Sequence, residues 1–120
     1  MYRLTMTEEQ ARVIARACEF ISRIKMGQFD EIIYECLTHQ VNDDDYCERR
    51  ESAMNLLYDA RREIYPELHG IGHSYGLGRF HDADISFNTH ILIRHALGYG
   101  DPPYYDSNCP TIERVEDDGQ

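Results

Sequence analysis

A ten-residue segment of the chain, "GIGHSYGLGR" (70–79), combines a flexible backbone with polar side chains and lies between two helix-like stretches. Glycine tolerates positive φ and lets backbone N–H groups approach a ligand closely, and successive N–H groups form a nest that binds anions. A tyrosine ring can stack on a base, and an arginine adds a charge-assisted fork for a phosphate. The segment therefore predicts a nucleotide-binding site, whose candidate residues are Ser74, Tyr75, Gly76, Gly78 and Arg79.

A further arginine, Arg94, lies inside the otherwise apolar stretch "ILIRHALG" (91–98). An arginine among apolar residues often faces a partner or a ligand, so we add Arg94 to the predicted ligand-binding site. The alternative is that Arg94 lies on the solvated side of an amphipathic helix. The glycines also have an alternative role, in which they form turns and a close helix crossing. The segment matches neither GxGxxG nor GK[ST], so both interpretations stay open.

Metal chemistry is a weaker interpretation of the same region. His69 and His73 are four residues apart, and "HDAD" (81–84) resembles the His-Asp pair of helical metal-dependent phosphohydrolases. Further ligands would have to come from His90, His95 and Asp101. No cysteine pair is spaced CxxC, and an aspartate at this point is equally a helix cap. We therefore predict no metal and no cofactor, and keep a metal-dependent phosphohydrolase only as a minor alternative.

Nucleophilic catalysis has little support, although Ser74 lies in "GHSYG", which is close to GxSxG. That motif requires a strand before the serine and a helix after it. The preceding "YPELHGIG" (65–72) is not a strand of this kind. We assign no catalytic residue and expect a protein that is not an enzyme.

Four helices are predicted to position these residues. In "TEEQ" (7–10), Thr7 and Gln10 form a capping box, and the first helix then runs to a stop at Gly27. A second helix is predicted over 28–37, a third over 46–64 and a fourth over 81–98, with a cap near Asp82 or Asp84. A strand is the alternative for "ISFNTHILIRH" (85–95), because Ile, Phe and Thr are good strand formers.

Apolar residues at helical spacing define the faces that we expect to be buried. They are Ile14, Ala17, Cys18, Ile21 and Ile24, then Phe29, Ile32, Ile33, Cys36 and Leu37, then Ala53, Met54, Leu57, Ala60 and Ile64, and finally Ile85, Leu92 and Ala96. The predicted fold class is mainly α, a small helical bundle of about four helices with a long glycine-rich loop over 66–80. Residues 1–100 are expected to form a single helical domain, and residues 101–120 an acidic, extended tail.

Charge restricts the partners. The chain has 12 basic and 22 acidic residues and a net charge of −10, which argues against direct nucleic-acid binding. An acidic surface can instead occupy a basic groove on another protein. In the first helix, Arg12, Arg16 and Arg23 form a basic stripe that would meet the acidic "NDDDYCE" (42–48) of a second copy, so we expect a homo-oligomer.

No apolar run reaches the ~20 residues that span a bilayer, so we expect no membrane partner. The start, "MYRLTMTEEQ" (1–10), has no apolar signal region, and we expect the protein to be soluble and cytoplasmic. No export signal supports disulfides among Cys18, Cys36, Cys47 and Cys109.

One resemblance adds a biological context. The segment "TEEQARVIARACEFISRIKMGQFDEII" (7–33) resembles the opening of small uncharacterised proteins encoded by bacteriophages and prophages. "LHGIGHSYGLG" (68–78) is similar to a later "SYGI" element of those proteins, and "THILIRHALG" (89–98) to a helix near their end. The resemblance covers roughly residues 5–97 and departs in "GIGH" (70–73) and in the acidic tail. It carries over no activity, but it implies an accessory phage protein that antagonises host defence.

In that context two functions compete. The first is a sponge that binds and sequesters a nucleotide immune signal, for which the loop residues and Arg94 supply the residue types. The second is an acidic inhibitor that mimics nucleic acid and binds a nuclease of the host defence. The net charge of −10 favours the inhibitor, whereas the glycine segment favours the sponge. We predict the sponge, acting in the host cytoplasm, with the inhibitor as the alternative.

Overall fold

A computed structural model gives the structure of the chain and describes residues 1–40, 44–100 and 110–116. Over these residues the fold is mainly helical and contains no strand, so the predicted small helical bundle is confirmed. Helix α1 spans Glu8–Lys25, α2 spans Tyr46–Ile64 and α3 spans His81–Ala96. Between α1 and α2, a π-helical turn at Ile33–Leu37 continues into a 3₁₀ turn at Thr38–Gln40. Residues 65–80, between α2 and α3, form neither helix nor strand.

The start of α1 confirms the predicted capping box. The Thr7 N–H donates to Gln10 Oε1 at 2.9 Å, and the Gln10 N–H donates to Thr7 Oγ1 at 3.1 Å. These bonds satisfy two of the backbone donors that a helix start leaves without intrahelical acceptors. The helix therefore begins where its first polar residues predict.

The end of α1 depends on Gly27, as expected. Gly27 has φ +90°, a conformation that a residue with a Cβ adopts only with strain. A Cβ at this position would also overlap Leu68 Cδ1. The predicted end of α2 is likewise confirmed, because Tyr65 closes the helix with an N–H bond to the Arg61 carbonyl at 2.7 Å and Pro66 follows.

The chain divides into two compact units. One, the split unit, contains Met1–Ser22 and His81–Gln120, and the other, the middle unit, is the continuous segment Arg23–Phe80. The predicted single domain over 1–100 stays a prediction. Of the predicted tail, 101–109 and 117–120 lie outside the described residues, and 110–116 are exposed and have no regular structure.

The core of the split unit uses small residues. Ala11 and Ala15 of α1 are buried against Ile93 of α3, and Met6, Ile14 and Leu97 pack around them. Alanine lets two helix backbones approach closely, so α1 presents its least bulky side to α3. The buried face of α1 is therefore built from small side chains.

This arrangement corrects the predicted inward face of α1. Ala17 and Ile21 were expected to be buried, but both are exposed, and the exposed fraction of Ile21 is 54%. The reason is that Ala11 and Ala15 occupy the face against α3, and Ala17 and Ile21 lie on a different side of the helix. The predicted burial is also wrong at Cys36, Ala60, Ile64, Ile85 and Ala96, which are all exposed.

The middle unit has a core of larger side chains. Its buried apolar residues are Met26, Phe29, Ile33, Leu37 and Leu68. The buried residue that α2 contributes is a charged one, Arg61. None of the described helices is long and apolar enough to cross a membrane.

Candidate functional site

Arg61 organises the segment that follows α2. Its side chain is only 4% exposed, and a buried charge is tolerated in a protein when its donors are hydrogen-bonded. Nη1 donates to the His73 carbonyl at 2.8 Å, and Nη2 donates to the Gly70 carbonyl. The guanidinium also lies 5.0 Å from the centre of the Tyr58 ring. One side chain of α2 therefore fixes two points of the 70–79 segment.

His73 adds a second, local constraint. Its Nδ1 accepts the His69 N–H at 2.9 Å, so one nitrogen of this ring is occupied within the loop. Among the residues that the structure describes, no group of three or more His, Cys, Asp or Glu side chains is arranged to hold a metal ion. Asp101, one of the ligands considered for a hydrolase, lies outside those residues. The metal-hydrolase alternative gains no support from this geometry.

Tyr75 is anchored to the residues that follow α1. Its N–H donates to the Met26 carbonyl at 2.8 Å, and its ring packs edge-on against Tyr65 and Phe80, with centroid distances of 5.3 and 5.5 Å. Tyr65 in turn donates its hydroxyl to the Lys25 carbonyl at 2.8 Å. We call Phe29, Tyr65, Tyr75 and Phe80 the aromatic cluster, since Phe29 also lies 6.1 Å from Tyr65.

Two cations lie over the aromatic cluster. The Arg79 guanidinium is 5.0 Å from the centre of Tyr75 and 5.7 Å from the centre of Phe80. Lys25 Nζ is 5.7 Å from the centre of Phe80. Cations are attracted to the faces of aromatic rings. Within the described part of the chain Arg79 forms no ion pair, and its side chain is exposed.

The remaining loop candidates are Ser74, Gly76 and Gly78. Ser74 Oγ lies 3.5 Å from Gln28 Nε2, which donates to it at the limit of a hydrogen bond. Gly78 has φ +93°, and a Cβ at Gly76 or Gly78 would meet no other atom within 4 Å. Close packing therefore does not require a glycine at either position. Five of the six predicted site residues, 74–76, 78 and 79, belong to the middle unit.

Arg94, the sixth predicted residue, belongs to the split unit and has a carboxylate partner there. Its Nη2 donates to Glu19 Oε1 at 2.9 Å, and its Nη1 lies 3.3 Å from Glu19 Oε2. The hydrogen bond that Arg94 donates to Glu19 raises the pKa of its guanidinium above the usual value. His90, only 3% exposed, places Nε2 3.6 Å from the same carboxylate. The guanidinium of Arg94 is therefore neutralised inside its own unit.

Sequence reasoning missed Arg61, Lys25 and the aromatic partners of Tyr75. A signal for Arg61 was present, because it follows Met54 and Leu57 at helical spacing and so falls on the expected inward face of α2. A charged residue is rarely buried, so helical spacing alone does not lead one to expect a buried arginine at this position. The contacts of Lys25 and Phe80 depend on tertiary structure and have no local pattern.

Comparison with known proteins assigns no family. The chain matches no protein-family model, and no curated protein or solved structure matches it at a significant level. The resemblance to phage proteins therefore stays a prediction.

Proposed function

We propose that the chain binds a nucleotide at the 70–79 segment and sequesters it, as a phage protein would sequester an immune signal. The observation that carries the proposal is the pair of cations over the aromatic cluster. Arg79 is exposed and forms no ion pair among the described residues, so its guanidinium donors are available to a phosphate. Lys25 shares the Phe80 ring with it and adds positive charge.

Positive charge near the proposed site is important for anion binding, because the chain as a whole has a net charge of −10. An anionic ligand approaching such a protein is repelled unless cations are concentrated at the site. A guanidinium held against ring faces loses little conformational freedom when a phosphate binds. We therefore assign the phosphate contact to Arg79.

The geometry changes the role proposed for Tyr75. Its ring packs edge-on against Tyr65 and Phe80 and lies under the Arg79 guanidinium. In the proposal, Tyr75 supports Arg79 rather than stacking on a base. Ser74 and Gly76 supply a hydroxyl and a backbone N–H group, and Gly78 allows the turn before Arg79 through its φ of +93°. Arg94 is left out because Glu19 holds it.

The test is native mass spectrometry of the purified protein before and after incubation with a panel of cyclic and linear nucleotides. We expect a stoichiometric adduct with at least one of them. Arg79→Ala should weaken that binding by at least about tenfold, the loss of one charge-assisted contact. Arg62→Ala is the matched control. Arg62 is exposed and lies in the same unit, and its substitution removes the same charge as Arg79→Ala. Equal affinities of the two variants would contradict the assignment.

The acidic inhibitor is the second candidate. Asp44, Asp45, Glu48 and Glu51 are exposed around the start of α2, and Asp43 lies outside the described residues. Negative charge is favourable at a helix N-terminus, so the stability of α2 by itself accounts for the acids nearest its start. If the chain ignores the whole nucleotide panel, the inhibitor becomes the function to test, by neutralising Asp43, Asp44 and Asp45.

A further inference from the structure

An apolar strip on α1 is exposed. Val13, Ala17 and Ile21 follow one another at intervals of four residues, which places them along one side of the helix. All three are exposed, and the exposed fractions of Val13 and Ile21 are 57% and 54%. A continuous exposed apolar strip on a helix is a common sign of an interaction surface.

The charge of α1 indicates what kind of partner can cover this strip. The 18-residue helix contains four basic and three acidic residues, a net charge of +1 on a chain whose total is −10. Two copies of so acidic a protein repel each other less where this slightly basic helix is the meeting surface than the total charge of the chain would imply. A second copy is therefore a suitable occupant in electrostatic terms.

The order of residues along α1 also fits a two-fold pairing. The first turn contains Glu8 and Glu9, and the last turn contains Arg23 and Lys25. An antiparallel pair of α1 helices places the acidic start of one against the basic end of the other. Ala17 lies near the middle of the helix, where its small side chain lets the two backbones approach.

We propose that the strip formed by Val13, Ala17 and Ile21 is a homodimer interface, in which two α1 helices pack antiparallel about a two-fold axis at Ala17. Val13 of one copy then packs against Ile21 of the other, because both lie four residues from the axis. The strip itself contains no residue of the nucleotide site proposed above, and Lys25 at the end of α1 is the one residue that both arguments use. A single helix pair buries less area than a standard interface, so we expect a dissociation constant on the order of 10–100 µM.

Sedimentation velocity over roughly 1–300 µM protein tests the dimer, a range chosen to bracket that affinity. Ile21→Glu should raise the dissociation constant by at least about 30-fold, because it buries a charge in each half of the interface. Leu56→Glu is the matched control, since Leu56 is equally an exposed apolar residue on a helix, but on α2. We expect Leu56→Glu to dimerise like the unmodified protein. Circular dichroism confirms that each variant keeps its helix content.

Disulfide trapping tests the antiparallel direction. Ala17→Cys should crosslink to itself across the axis. Val13→Cys alone should not, because the two copies of residue 13 would be about 12 Å apart along the helices, beyond disulfide reach. Mixing Val13→Cys with Ile21→Cys should restore the crosslink, and peptide mapping distinguishes it from any bond to a native cysteine. An unmodified protein that stays monomeric at the highest concentration, equal effects of Ile21→Glu and Leu56→Glu, or a Val13→Cys self-crosslink would overturn the proposal.

Discussion

Each of the two compact units holds an arginine by hydrogen bonds, and the partners differ. In the split unit, Arg94 donates to both oxygens of Glu19, so its charge is neutralised by a carboxylate. In the middle unit, Arg61 is more deeply buried and donates to the carbonyls of Gly70 and His73. One arginine closes an ion pair between two helices, and the other shapes an irregular segment.

The difference shows why residue type alone is a poor guide to a binding site. Arg79 was assigned to the ligand site because it ends the glycine-rich segment, and Arg94 because it lies in an otherwise apolar stretch. The structure gives Arg94 a carboxylate and leaves Arg79 over two aromatic rings. Arg61, which was not assigned, determines the conformation of the segment that carries Arg79. Its role is to position that segment.

The largest effect is expected when the buried arginine of the middle unit, Arg61, is removed. Arg61→Ala leaves the Gly70 and His73 carbonyls without their donor and opens a cavity beside Tyr58. We expect the free energy of unfolding to fall by about 2–4 kcal/mol, the cost of unsatisfied buried groups together with lost packing. Urea denaturation measures the change.

The control for this experiment is the neighbouring residue. Arg62 is exposed and pairs with the exposed Asp59. Arg62→Ala should change the free energy of unfolding by less than about 0.5 kcal/mol, as most surface substitutions do. If Arg61→Ala were as mild as Arg62→Ala, the carbonyl contacts would not be what holds the segment.

A double-mutant cycle measures the strength of the ion pair between Arg94 and Glu19 in the split unit. Glu19→Gln and Arg94→Met, made singly and together, should show a coupling energy of about 1–2 kcal/mol, because the pair is bidentate and partly shielded from water. The matched cycle uses Glu8→Gln and Arg12→Met, where both side chains are exposed. There we expect no measurable coupling. Equal couplings in the two cycles would mean that shielding does not strengthen the Arg94 pair.

The smallest expected effect concerns the cysteines. Burial raises the pKa of the Cys18 thiol in the split unit, whereas Cys36 and Cys47 of the middle unit are exposed. The thiolate is the reactive form, so a raised pKa lowers the reactive fraction of Cys18 near pH 8. We expect maleimide to modify Cys18 at least about threefold more slowly than Cys36, and the gap to narrow as the pH rises towards 10. Peptide mass spectrometry at timed intervals follows each site, and faster labelling of Cys18 would contradict its shielding.

Local signals predicted much of the fold. Thr7, Gln10, Gly27 and Pro66 mark helix ends through backbone chemistry that acts within a few residues, and the structure confirms those ends. Which face of a helix is buried depends on its neighbours instead. Ala17 and Ile21 looked like core residues because they are apolar, but Ala11 and Ala15 allow the closer approach to α3.

The candidate site was partly predictable for the same reason. Gly78 and Arg79 attracted notice because a glycine-rich segment with an arginine is unusual in a helical protein. Lys25 and Phe80 lie beside them through tertiary contacts, which the spacing of residues in the sequence does not predict. The ion pair of Arg94 was equally invisible, because Glu19 is 75 residues away in the chain.

That separation has a consequence for how the protein is made. A ribosome releases α1 early, but the helix that covers its alanine face, α3, begins only at His81. The intervening residues Arg23–Phe80 form the middle unit, whose contacts are closer in sequence and can form while synthesis continues. During synthesis the alanine face of α1 therefore stays uncovered until α3 emerges, and the split unit can complete its core only after the middle unit has been made.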